Sequence, residues 1–150
     1  MSTKNKINKI KHLIKKYGEE WDVNWDDEGI AFYFRGQKTK CYFLHKNGDK
    51  EYLDLNMEVV AHGNVGERGR DSWGYHILAV SEDTHEIYGE FDSKKDENEV
   101  FVHAWQAMKE ANRRAKKLDF LDYNKINRRI KKDKDIVTFV RPKKKINKRR

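Results

Sequence analysis

The side chains best placed for chemistry are cations. Residues 111–150 hold seventeen basic and four acidic residues, more positive charge than helix capping or solubility requires. Three groups carry it: Arg113, Arg114, Lys116 and Lys117; Arg128, Arg129, Lys131, Lys132 and Lys134; and Arg141, Lys143, Lys144, Lys145, Lys148, Arg149 and Arg150. Clustered Lys and Arg on flexible stems contact phosphates without reading base sequence. These residues, Lys134 counted with its neighbours, are the candidate nucleic-acid-binding set.

Other constellations are sparser. Asp92-Ser93-Lys94 at a strand end, with Asp83 or Asp71 upstream, resembles the metal-dependent nucleases of the PD-(D/E)xK kind, in which two carboxylates hold Mg²⁺ and a lysine steadies the attacking water. The same Asp92 and Ser93 stand where a helix needs its cap, and capping is the expected role. The six histidines (His12, His45, His62, His76, His85, His103) show no zinc-ligand spacing with Cys41. His76 and His85 read as a half-exposed cross-strand pair with no chemistry; the alternative is that with Glu90 and Arg70 they form the acid–base set of a metal-free ribonuclease. Glycines 63, 66 and 69 lead into a strand rather than a helix, so they form no phosphate-binding loop. No metal, cofactor or catalytic residue is expected.

The elements that must position these groups follow from periodicity. Ile7, Ile10, Ile14 and Tyr17 predict a short basic amphipathic helix over residues 4–17, stopped by Gly18. Strands are predicted at 21–26, 30–35, 39–46 and 51–60, with a turn at Gly36 and a type I′ hairpin at Asn47-Gly48. Residues 61–72 read as a loop. Trp73–Val80, the turn Ser81–Thr84 and the run from His85 to Phe91 make a second hairpin. One long helix is predicted from the Asp92/Ser93 cap to Leu118, with Val100, Phe101, Ala104, Trp105, Met108, Ala111, Ala115 and Leu118 on its core face. A short helix with Ile126 and Ile130 and a last strand at 135–140 precede a basic tail.

The order Trp73, strand, turn, Ile87-Tyr88-Gly89-Glu90-Phe91-Asp92-Ser93 and an alanine-containing helix resembles the three-stranded DNA-binding domains of plant ethylene-response factors and the arm-binding domains of tyrosine integrases. That resemblance covers about forty residues. It implies a sheet presenting basic and aromatic side chains to a DNA groove, whereas this hairpin offers Glu82, Asp83, Glu86 and Glu90.

Composition sets the outer bounds. With 150 residues the chain is long enough for one domain with a real core, and its 37% apolar and 39% charged content still includes 7 Phe, 7 Tyr and 4 Trp. One cysteine permits no internal disulfide and fits a reducing compartment. The basic N-terminus lacks the apolar core of a secretory signal, and no run of 18 apolar residues offers a membrane span. The net charge of +8 is segregated: six lysines and no acid in residues 1–17, ten basic and twenty-one acidic residues in 18–110, and the basic third already described.

These readings converge on an α+β fold: about six antiparallel strands, meander plus hairpin, packed by a long central helix, with a short N-terminal helix and a basic C-terminal extension. The core domain is expected at residues 1–118 and the basic extension with its tail at 119–150. The expected function is non-enzymatic binding of DNA or RNA by a cytoplasmic monomer that makes no use of a membrane. A small accessory or inhibitory protein with a protein partner is the first alternative, and a Mg²⁺-dependent nuclease the second.

Overall fold

A computed structural model of the chain describes residues 21–26, 29–62 and 72–142. The expected N-terminal helix, most of the glycine loop (63–71) and the tail from residue 143 lie outside the described residues. The class is α+β, built on one antiparallel sheet of six strands: β1 (Asp22–Asp26), β2 (Gly29–His45), β3 (Lys50–His62), β4 (Ser72–Ser81), β5 (Ile87–Asp92) and β6 (Ile136–Val140). The strands run in the order β1-β2-β3-β4-β5, and β6 also pairs with β2. β1 takes residues 29–33 of β2 and β6 takes residues 42–45, so both lie along the β2 edge opposite β3.

β2 corrects the sequence reading. The two strands expected at 30–35 and 39–46 are one continuous strand of 17 residues, and Gly36 is not a turn. With φ +73° it absorbs a register shift against β3 between Phe34 and Gln37, and its N–H donates to Asn56 Oδ1 at 2.9 Å. A glycine in the left-handed region can form a bulge without reversing the chain. The Asn47-Gly48 loop likewise departs from type I′, because only Gly48 has positive φ (+91°). Its N–H donates to His45 O at 2.9 Å, and Asn47 Oδ1 accepts from Asp49 N at 2.9 Å. This is a tight turn closed by a glycine bulge.

Strand alternation builds the core. Leu53, Leu55, Met57 and Val59 of β3 and Trp73, Tyr75, Ile77 and Ala79 of β4 are buried on one face, joined by Phe32, Phe43, Tyr88 and Phe91. Rings meet edge-on or tilted, as in Phe43 with Tyr88 and Phe139 (5.1 and 5.0 Å) and Phe32 with Trp73 (5.9 Å).

The long central helix is two helices. α1 (Ser93–Glu97) ends at Asn98 in the left-handed conformation, and α2 (Ala104–Lys117) starts six residues later. Between them Val100, Phe101 and Val102, a β-branched and aromatic run, favour extended backbone. Phe101 exchanges both backbone hydrogen bonds with Trp73, at 2.7 and 2.8 Å. α2 buries Ala104, Ala107, Met108, Ala111, Arg114 and Ala115 against β3 and β4. Trp105, expected in the core, lies at its margin and stacks on His103 at 6.0 Å.

Residues 119–142 belong to the same packed body. α3 (Tyr123–Lys132) buries Ile126, β6 buries Ile136, and Phe139 packs on the core. Gly89 of β5 lets the chain pass close by: a Cβ there would lie 2.7 Å from Phe120 O, and Tyr88 O accepts from Asp122 N at 2.7 Å. Among the described residues, no helix is long and apolar enough to cross a membrane.

Candidate nucleic-acid interface

The basic face of α3 is held in place by a buried charge. Glu51 shares the inward parity of Leu53 and Leu55 and is 2% exposed. Its carboxylate accepts from Ser81 Oγ (2.5 Å), His45 Nε2 (2.9 Å) and both terminal nitrogens of Arg129, with Nη2 at 2.8 Å. Burial alone would raise its pKa, but the hydrogen bonds from Arg129, Ser81 and His45 outweigh that and hold it down to about 2. The Arg129 guanidinium also lies over Phe43, 4.7 Å from the ring centroid. A forked cation is suited to a bidentate, partly buried pairing of this kind.

With Ile126, Ile130 and Arg129 turned inward, the opposite side of α3 faces out. Asp122 Oδ1 accepts from Lys125 N at 3.1 Å and caps the helix. Lys125 Nζ reaches Ile87 O (2.5 Å) and Glu86 (3.5 Å), clamping α3 to the β4–β5 turn. Tyr88 donates to the same Glu86 at 2.8 Å. Burial and that bond push the Tyr88 phenol up to about 12. Around these groups opens a cleft of about 650 Å³ lined by Lys125, Arg128, Arg129, Lys132 and Lys134, with Glu86 and Asp133. The side chains of Arg128, Lys132 and Lys134 are exposed and make no ion pair or hydrogen bond with the described residues. They are available to an external anion.

The other predicted cations divide by environment. Arg114 is 9% exposed, pairs with Glu97 (2.5 Å) and Asp119 (3.0 Å), and lies over Phe91 at 4.3 Å. Its Nε and the Tyr75 hydroxyl lack hydrogen bonds of normal geometry. Burial raises the Tyr75 phenol, with the Arg114 guanidinium pulling the other way. Arg113 pairs with Glu110 one turn away, and Lys116, Lys117 and Lys131 are exposed outside the cleft. Arg141 donates to Tyr123 Oη and to Lys117 O (3.2 Å), joining the end of α2 to the start of α3. Lys143, Lys144, Lys145, Lys148, Arg149 and Arg150 lie outside the described residues.

Two cleft cations had gone unremarked or been left at the margin in the sequence. Lys125 was missed and Lys134 was counted only with its neighbours. The Ile126/Ile130 phase carried the signal, since it fixes which cations of α3 turn outward. That phase also places Arg129, three residues after Ile126, on the core side.

Asp92 and Ser93 of the nuclease set are otherwise engaged. Asp92 Oδ1 accepts from Lys94 N (3.0 Å) and Lys95 N (3.1 Å) as the cap of α1, and buried Ser93 Oγ accepts from Tyr75 N (3.0 Å). Among the described residues, no three His, Cys, Asp or Glu side chains converge on a possible metal position. The expected histidine pair does not form. His76 stands opposite Asp92 and near Glu90 (3.7 Å), whereas His85 sits exposed in the turn with φ +60°. Glu82 and Glu90 on the hairpin also keep it from the uniformly basic surface that the resemblance implies. The chain matches no known family model, no curated protein and no solved structure.

Proposed function

We propose that this protein binds nucleic acid without cleaving it, gripping phosphates with the exposed cations of the α3 cleft and with the basic residues that follow. The observation carrying the reading is the cleft itself: Arg128, Lys132 and Lys134 stand around one open concavity beside α3, unpaired among the described residues, and Glu51 anchors that helix through Arg129. Exposed cations gathered around one concavity can meet neighbouring phosphates together, and counterion release supplies the affinity.

The test is a salt series with generic duplex and single-stranded oligonucleotides. Replacing Arg128, Lys132 and Lys134 together by Gln leaves the fold intact and makes the plot of log affinity against log salt shallower by about 2 to 3 units, at roughly 0.9 per duplex phosphate contact. Removing residues 143–150 acts in the same direction. The loss is equal for unrelated sequences, because phosphate contacts position rather than specify. Unchanged affinity and slope in both variants would remove the reading and leave a protein partner as the better account.

A further inference from the structure

The sheet face opposite the helices carries a second pattern. Tyr33, Tyr42 and Tyr52 project from it, and each ring has a cation over it. Arg35 Cζ is 4.8 Å from the Tyr33 centroid, Lys50 Nζ is 5.1 Å from Tyr42, and Lys38 Nζ is 4.1 Å from Tyr52. Tyr42 and Tyr52 are direct partners across β2 and β3, with ring centroids 5.1 Å apart. Towards the other end of the face lies a hollow of about 280 Å³ whose walls include Tyr33, Arg35, Asn56, Glu58 and His76. Among the described residues no helix covers this face, since α2 packs on the opposite side with Met57 and Ile77.

We propose that this face binds single-stranded nucleic acid by stacking unpaired bases on Tyr33, Tyr42 and Tyr52, with one base seated in the hollow. The inference rests on the nucleic-acid reading of the α3 cleft and names the form of nucleic acid. Tyrosines on an open sheet, interleaved with Lys and Arg, offer flat partners to bases whose faces a duplex keeps hidden. The cations already over the rings are displaced outward when a base arrives, towards the phosphates that flank it. Asp22 (opposite Tyr33), Asp54, Glu58, Glu90 and Asp92 (opposite His76) share the face, and Glu82 at its margin pairs with Lys38 at 3.8 Å. They outnumber the three cations, so the backbone must run on the solvent side and stacking must supply the affinity. In the hollow, Asn56 Oδ1 is occupied by Gly36 N–H, which leaves its Nδ2 as a donor beside the Glu58 acceptor and the Arg35 donors. Mixed donors and acceptors around an aromatic wall suit the edge of a single base.

The two sites meet at the β4–β5 turn. Glu86 lines the cleft, while Glu82 of the same turn accepts from Tyr52 N at 3.1 Å.

The test uses the full chain and fluorescently labelled decamers of uridine and thymidine beside a matched duplex. Tyr33→Leu, Tyr42→Leu and Tyr52→Leu, checked for an unchanged far-UV spectrum, each weaken single-strand binding by about tenfold. They leave duplex affinity and the salt slope unchanged, and the Tyr→Phe variants bind as the parent does. Independently of any variant's folding, 5-bromouridine decamers irradiated with the unmodified protein crosslink to peptides containing Tyr33, Tyr42 or Tyr52. Full single-strand affinity in folded Leu variants, or crosslinks confined to α3, would overturn this proposal while leaving the cleft reading intact. Failure of the parent protein to bind either form at low salt would overturn both.

Discussion

A carboxylate 2% exposed survives in the core only because three donors converge on it. The folded pKa of Glu51 lies below its ordinary 4.5, at about 2. The resulting stabilisation is therefore complete above about pH 4.5 and is lost as pH falls towards 2. It amounts to about 3 kcal/mol, and urea midpoints measured from pH 7 down to pH 2 will show the loss in that window. Glu51→Gln at neutral pH costs about 3 kcal/mol, because Arg129 is left partly buried with only Asp133, 3.8 Å away, as counter-ion, and adding Arg129→Met restores part of this. At Gly89 the constraint is steric. Gly89→Ala drives a methyl group to 2.7 Å from a backbone oxygen, so the β5 crossing must shift, at about 1 to 3 kcal/mol in thermal or urea unfolding. The inward direction of Glu51 was legible from its parity with Leu53, and that of Arg114 from its phase with Ala111 and Ala115. The partner of Glu51 was not, because Arg129 lies 78 residues away and no local pattern links them.

Among the elements, periodicity identified what was regular and missed where regularity stops. Ala104, Met108, Ala111 and Ala115 were placed correctly, yet extending the same phase back through Phe101 and Val100 produced a helix where the chain is extended. The deciding contact, Phe101 with Trp73, is long-range and invisible to a local pattern. The helix phase now assigns the largest buried apolar side chain of α2 to Met108 rather than Trp105. Met108→Ala should cost about 2 to 5 kcal/mol in urea unfolding, depending on how far the neighbours close the void. Gly36 gives a similar lesson, since a glycine between two apolar runs reads equally as a turn or a bulge until the pairing with β3 is known.

For the whole molecule, composition and packing divide the chain differently. The change in charge after Leu118 is sharp, but α3 and β6 deliver Ile126, Ile136 and Phe139 to the core that the acidic middle builds. Charge segregation was legible because it needs only counting, while the return of residues 136–140 to β2 depends on a partner some ninety residues earlier. A fragment of residues 1–118 should therefore fail to unfold cooperatively by circular dichroism, whereas one ending at residue 142 should melt like the full chain. The pairing of β6 with β2 also imposes an order on synthesis. A ribosome that has delivered the meander and both hairpins has produced a sheet with Phe43 covered by Tyr88 but not by Phe139, and Glu51 still lacking its arginine, and neither is completed until residues 129–140 emerge. During that interval the nascent chain presents an unpaired strand edge and an unmatched inward charge, the kind of surface that chaperones retain. The segment proposed to grip an external polyanion is thus also the last piece the fold waits for.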